Sequence, residues 1–471
     1  MPISNQYLLI QNKGEAPIEG YTVLGYSSTR NCGVDGVIGQ FGSGAKHAVN
    51  LCLRHGLAVW VYCGKTRLEF ALDKEVVNDG LSDETVHHVV YRKNSSGTYK
   101  RAGWILDFGV LDWDDVGMGI REFISNAIDR TLREGGGLAD NHLSIKIVDD
   151  KDRRAKVGCT RVYVAMSDEV REYFGQLGKR FLHFSDNPGA AKPGILTKAG
   201  RAPEGGDGAV IYREGVYVRT LSGQSLFDYN FSKDQIKIDE CRNSSEYYIK
   251  KAISQLLGNA DTATVATVLR SAAEGTELLE TQLDADYMFG DYCSNPTETQ
   301  ADIWARAWEV AAGPDAVVCN DTFGHAYVQG KGYKPRVVGK LASTLKKVSG
   351  IKTADSVLTA DERQGRTILP PSSDAIEAVD WAWDLFETAN LTGGKERPPV
   401  NCFQEISKAG CIPSGFYKDG GVFIHTDIAN DGQNNELRKT ALEELTHYIT
   451  GATDASRDFQ NLLLDALVTL A

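Results

Sequence analysis

Two hydrophobic periods alternate along this chain. Short runs dominated by apolar, β-branched and aromatic residues occur at 57–64 (LAVWVYCG), 66–72 (TRLEFAL), 86–92 (VHHVVYR) and 101–109 (RAGWILDFG), and again at 143–150 (LSIKIVDD) and 160–168 (TRVYVAMSD). They predict strands, enough for one mixed sheet backed by helices. Helical spacing takes over at 46–54 (KHAVNLCLR) and 122–129 (EFISNAID), where Phe123, Ile124, Ala127 and Ile128 would bury one side. Residues 209–221 (AVIYREGVYVRTL) alternate and turn at Glu214-Gly215, which predicts a β-hairpin. Its aromatic neighbours Tyr212, Tyr217, Phe227, Tyr229 and Phe231 read as packing, because the basic interleaving of a base-stacking surface is thin. Residues 245–350 look mainly helical, with Trp304 and Trp308 on one helical face and belonging to a core. Strand character returns at 315–338, where the lone His325 reads as structural.

Punctuation sets the boundaries. Residues 186–208 are rich in Gly, Pro and Ala and mark a mobile loop or linker, and the polar stretch 352–374 carries Pro370-Pro371. The expected organisation is a ligand-binding region at 1–185, a loop and β-hairpin adapter at 186–244, a mainly helical domain at 245–355, a linker and helix at 356–398, and a C-terminal region at 399–471. The fold class is α/β (α+β).

Chemistry enters at two of these segments. Glu122, Asn126 and Asp129 stand at i, i+4 and i+7, so one helical face carries two carboxylates and an amide able to hold Mg²⁺ and polarise a water. Residues 38–46 (IGQFGSGAK) put Gly39, Gly42, Ser43, Gly44 and Lys46 just before a helix, whose free N–H groups and positive dipole end suit a phosphate. This is not a Walker A loop, since Ala45 separates Gly44 from Lys46 and His47 follows the lysine.

Together, EFISNAID and residues 25–48 (GYSSTRNCGVDGVIGQFGSGAKHA) resemble the GHKL superfamily, the gyrase, heat-shock chaperone, histidine kinase and mismatch-repair ATPases built on the Bergerat fold. The first segment resembles the family's N-box. The resemblance implies that Glu122 activates the attacking water, that Asn126 binds Mg²⁺ and that Asp129 lies nearby in the nucleotide pocket. It assigns Gly39, Gly42, Ser43, Gly44 and Lys46 to the phosphates of ATP and makes Ser27, Ser28 and Thr29 lid residues. The phosphate loop here precedes the N-box, the reverse of the family order, so the chain reads as a circular permutation, which surface-exposed termini permit. Family members read adenine with the Asp of a DxGxG turn. Two aspartates are candidates: Asp115, in the literal match Asp115-Val-Gly117-Met-Gly119, which reads equally well as an N-cap, and Asp168, at the family's position but without the glycines. The resemblance implies a slow, Mg²⁺-dependent ATPase that couples nucleotide state to conformational change, with a protein client and, as one assembly, a homodimer.

A separate resemblance lies at 440–460, where Glu443-Glu444-Leu-Thr-His447, with Asp454 downstream, is similar to the zincin HExxH helix with its first His replaced. Glu443, Glu444, His447 and Asp454 would form a second divalent-metal site, with Glu444 as base and His425 as a further ligand or, alternatively, a buried neutral side chain. A metal-dependent hydrolase and a non-catalytic nucleotide-binding scaffold are therefore the rival readings. The net charge of −12 argues against broad binding to nucleic acid or anionic membrane. Nine scattered cysteines without a CxxC pair, no run of eighteen apolar residues and no secretory signal lead to the expectation of a cytoplasmic protein.

Overall fold

The computed structural model describes residues 5–26, 34, 36–39, 42–78, 80, 82–95, 97–108, 112–135, 142–186, 191–200, 202–203, 205–283, 285–319, 328–357, 366–405, 414–429 and 435–451. Among these the chain is a mixed α/β protein with several sheets. Seven strands build the first: β1 (Gln6–Lys13), β2 (Val59–Cys63), β3 (Thr66–Asn78), β4 (Asp83–Lys93), β5 (Lys100–Ile105), β6 (Leu143–Asp149) and β7 (Cys159–Ala165), in the order β5-β4-β3-β2-β7-β1-β6. Every ladder in it is antiparallel, which corrects the expected mixed sheet. For β2 and β3 the reason is connection length: only Gly64 and Lys65 separate them, and a parallel crossover needs a dozen residues or more.

Early in the chain come α1 (Glu19–Thr22), α2 (Gly44–Arg54), α3 (Val116–Arg133), α4 (Asp168–Gly175) and α5 (Leu177–Arg180). Alternate strand residues, among them Leu8, Ile10, Val61, Leu68, Val89 and Val162, share one core with Val49 and Cys52 of α2 and Ile120, Phe123, Ile124 and Ile128 of α3. The apolar side of α3 is thus the one its spacing predicts. Gly119 brings the two helices close, since a Cβ there would lie 3.2 Å from the Ala48 Cα.

A second sheet follows, with β8 (Gly194–Thr197), β9 (Val210–Arg213), β10 (Val216–Thr220) and β11 (Phe227–Phe231) in the order β10-β9-β11-β8. The expected hairpin joins β9 to β10, and its turn residues Glu214 and Gly215 sit at φ of 49° and 71°, as a primed two-residue turn requires. Tyr212, Tyr229 and Phe231 are buried in packing. β8 corrects the reading of 186–208 as loop alone; its four residues pair with β11 and are too few to show a period. Helices α6 (Glu246–Gly258), α7 (Thr262–Ala273) and α8 (Glu298–Ala312) come next, with Trp304 and Trp308 buried, and then the short α9 (Leu341–Lys346).

The chain divides into two compact units, residues 1–314 with 338–350 and residues 315–337 with 351–471. The second contains a parallel pair, β12 (Ala316–Cys319) with β13 (Lys334–Val337), and a sheet of β14 (Arg366–Leu369), β15 (Val400–Glu405), β16 (Gly415–Lys418) and β17 (Gly421–His425), ordered β14-β15-β17-β16. Val379, Ala382 and Phe386 of α10 (Ser373–Thr388) and Leu437, Ala441 and Leu445 of α12 (Asn435–Thr450) pack with Cys402, Val422 and Ile424 of that sheet, while α11 (Thr426–Ala429) adds Ala429. Because β14 pairs with β15, the regions expected as 356–398 and 399–471 share one sheet. His325 lies outside the described residues. No helix among the described residues is long and apolar enough to cross a membrane.

Candidate functional site

The polar side of α3 is one wall of a cleft. Its Glu122, Asn126, Arg130 and Arg133 line the cleft together with Gly39, Gly42, Ser43, Gly44 and Lys46, so two segments some eighty residues apart meet in one place. Asn12, Ala16, Pro17, Gly20 and Tyr21 line it as well, as do Ile238, Glu240 and Arg242.

Asp129 holds the glycine loop in position. Its two carboxylate oxygens accept the Ile38 and Gly39 N–H groups, each at 2.7 Å, and the residue is buried. Burial pushes its pKa up to about 7 against those two N–H donors, which favour the charged form. Asp129 is not itself among the lining residues; through Ile38 and Gly39, which are, it fastens the glycine loop to α3 beside the cleft. Further along the loop, Gly42 takes φ of 82°, a conformation that favours glycine. Lys46 folds back over it, donating from Nζ to the carbonyls of Gly42 at 2.7 Å and Tyr26 at 3.2 Å. Lys46 is 1% exposed, burial lowers its pKa to about 8, and no carboxylate pairs with it among the described residues. Ser43 is the N-cap of α2 but its side chain makes no capping bond, which leaves the hydroxyl available to a ligand. A Cβ at Gly44 would overlap the Glu122 carboxylate, so only glycine lets the loop come this close.

Glu122 is buried and clamped by cations. Arg242 donates to it from Nε at 2.8 Å and Nη2 at 3.4 Å, and Arg121 from Nε at 3.3 Å. Burial alone would raise its pKa; the two guanidiniums outweigh that and hold it below the usual glutamate value. Arg242 is itself fixed in a turn, at φ of 67°, beside Cys241, whose carbonyl accepts Arg121 at 3.1 Å and whose thiol donates to the Asp112 carbonyl at 3.2 Å. Next to this turn His47 is stacked between Phe108 and Trp113, with ring centroids 4.5 and 4.4 Å away, and lies 3.7 Å from Glu240. Asn126 makes no hydrogen bond among the described residues.

The lining also contains a residue that sequence reasoning missed. Asn12 is 4% exposed, and its Nδ2 donates to the carbonyls of Lys13 at 2.8 Å and Gly14 at 3.2 Å. With two carbonyls fixing the amide orientation, the remaining Oδ1 is an acceptor at the cleft. Its only trace in the sequence is a polar residue closing an apolar strand two positions before a glycine. The Ile238–Arg242 wall was missed as well, because scattered charges in a loop have no period.

Neither aspartate proposed to read adenine lines the cleft. Asp115 caps α3, accepting the Gly117 N–H at 2.8 Å. Asp168 begins α4 behind the N-cap Ser167 and adds a first-turn negative charge. Asp115 thus has a capping role and Asp168 a place in the first turn of a helix. Ser27, Ser28 and Thr29 lie outside the described residues.

In the second unit, Glu443, Glu444 and His447 are carried by α12, with Glu444 packed over Gly415. His425 does not join them: Val422 and Ile424 face the core shared with α12, so strand alternation turns His425 to the other face, where its ring lies 5.0 Å from Phe403. Asp454 lies outside the described residues. Among the described residues, no three His, Cys, Asp or Glu side chains are grouped to hold a metal.

The cleft is therefore a polar trough whose lining carries Lys46, Arg130, Arg133 and Arg242 against Glu122 and Glu240, in a chain of net charge −12. No protein-family profile, curated protein or solved structure matches this chain.

Proposed function

We propose that the cleft binds Mg²⁺–ATP and that the chain is a slow ATPase coupling nucleotide state to conformational change, on a circularly permuted, Bergerat-like arrangement of the GHKL kind. One observation carries the reading: Glu122 and Asn126 line the same cleft as the Gly42–Lys46 loop, beside a buried lysine that no carboxylate pairs with among the described residues. An excess of cations in the walls of an acidic protein suits a polyanion. The permutation draws support from the sheet order, in which the N-terminal strand β1 lies between β6 and β7, the two strands that follow α3.

The roles follow from the chemistry of each group. First-turn N–H groups of α2, the Ser43 hydroxyl and the Lys46 ammonium grip the phosphates. The Asn126 amide oxygen, with phosphate oxygens, suits Mg²⁺, which when bound offsets phosphate charge beside Glu122. Glu122, kept anionic by Arg242 and Arg121, orients the attacking water and takes its proton. A carboxylate with a depressed pKa is a weak base, which accounts for slow turnover. Asn12 Oδ1 accepts from an exocyclic amine of the base, between Tyr21 and the Ala16-Pro17 turn. Arg242, downstream of the second sheet, gives that sheet a direct link to the phosphate end.

The test is steady-state Mg²⁺–ATP turnover in the wild type and in Glu122→Gln, which keeps the shape of the side chain. Turnover falls by about a hundredfold, within the range for a positioned acid–base group, while ATP still binds. Equal turnover in the two proteins would refute the assignment.

A further inference from the structure

The cleft-lining positions of α3 are Glu122, Asn126, Arg130 and Arg133, spaced i, i+4, i+8 and i+11, so they form one stripe along the helix. At 1.5 Å per residue the stripe spans about 16 Å. Its two ends meet different parts of the chain. A Cβ at Gly44 would overlap the Glu122 carboxylate, whereas one at Gly14 would lie 2.9 Å from Arg130 Nε. The start of α2 therefore sits at the Glu122 end. Asn12, whose amide donates to the Gly14 carbonyl at 3.2 Å, sits at the arginine end.

The cations of the lining are not equally engaged. Arg242 is bound to Glu122, and Lys46 donates to the Gly42 carbonyl. Arg130 is drawn toward the end of the helix by Glu134 at 2.9 Å and donates to the Glu15 carbonyl, also at 2.9 Å. Arg133 is half-buried and makes no hydrogen bond or ion pair among the described residues. Both arginines stand in the last turn of α3, where the helix dipole favours a cation. The dipole accounts for positive charge at that end of the helix, not for an unpaired guanidinium turned to a ligand cleft.

We infer that Arg133 binds a phosphate on the ribose of the nucleotide, at its 2′ or 3′ oxygen, so that the preferred ligand is an adenine nucleotide phosphorylated on the ribose as well as at the 5′ position. The inference rests on the nucleotide reading of the cleft. In that reading the 5′ phosphates lie against the start of α2 and Asn126, and the base lies against Asn12, so the nucleoside faces the arginine end of the stripe. ATP is neutral there. A neutral nucleoside would strip water from the Arg133 guanidinium without offering it a charged acceptor, which is a net cost. A ribose phosphate replaces that cost with charge-assisted hydrogen bonds to a planar fork, the geometry in which arginine holds phosphate. Arg130 already has Glu134, which leaves Arg133 as the contact.

The experiment titrates the full chain calorimetrically with AMP, ADP, adenosine 2′,5′-bisphosphate, adenosine 3′,5′-bisphosphate and Mg²⁺–ATP, in the wild type and in Arg133→Gln. One of the two bisphosphates binds the wild type about tenfold more tightly than AMP, equivalent to about 1.4 kcal/mol. Arg133→Gln abolishes that preference. ADP, with the same number of phosphates placed in line, and Mg²⁺–ATP bind both proteins equally. Should Arg133→Gln fail to fold, Arg133→Lys, which keeps the charge and loses the fork, lowers the preference by about threefold. Bisphosphates that bind the wild type no more tightly than AMP, or a preference that the variants keep in full, overturn the inference. With Mg²⁺–ATP still bound, either result leaves the ATP reading standing, whereas failure of every nucleotide to bind removes both.

Discussion

Two carboxylates on one helix show how far neighbours decide a residue's chemistry. Glu122 and Asp129 are both buried on α3, yet two guanidiniums in contact hold Glu122 anionic, while burial pushes the Asp129 carboxyl up to about 7 against two backbone N–H donors and the charge of Arg242. Their spacing was legible in the sequence; their division of labour was not, because it depends on Arg242 and on the Ile38-Gly39 backbone. Lys46 is the third such residue. Its pKa of about 8 reflects burial, so the cleft loses a positive charge as pH rises through that value. Affinity for Mg²⁺–ATP is accordingly level below pH 8 and falls above it, and bound phosphate shifts the fall to higher pH by stabilising the ammonium. Lys46→Met, with no ammonium to lose, binds about tenfold more weakly and without this inflection. Titrations across this range check both; an inflection retained in Lys46→Met would exclude Lys46 as its source.

Among the elements, the connection between α3 and the turn at Arg242 is the energetic link that matters most. Arg242→Ala strips a buried carboxylate of its main partner and costs about 3 kcal/mol, the lower end for breaking a buried pair because Arg121 remains. Glu122→Gln relieves the loss, so the double variant is more stable than the sum of the two single changes predicts, with a coupling of about 1–3 kcal/mol. Urea denaturation measures the cycle, and strictly additive effects would mean the pair is incidental. The elements legible beforehand were those with a sustained period: α3 with its Phe123 and Ile124 side, α8 with its tryptophans, and the hairpin whose Glu214-Gly215 turn demands positive φ. Those missed were short or aperiodic. Four-residue strands such as β8 and β14 carry too few positions to alternate, and the wall at 238–242 is defined only by what it touches. The antiparallel pairing of β2 with β3 was implicit in their two-residue connection, whereas strand runs alone do not carry direction.

On the scale of the whole molecule, an acidic chain concentrates cations in one cleft built from three stretches of sequence: the loop at 38–46, the helix at 116–133 and the turn at 238–242. The second unit is a sheet with helices, whose described residues hold no metal-binding group around Glu444 and His447. The most direct measurement is calorimetric titration of the full chain with Mg²⁺ and a non-hydrolysable ATP analogue, in the wild type, Lys46→Met and Asn126→Ala. The account predicts one site per chain, weakened about tenfold by either substitution, since loop and helix grip the same ligand. No saturable binding, or binding that neither substitution alters, would contradict it.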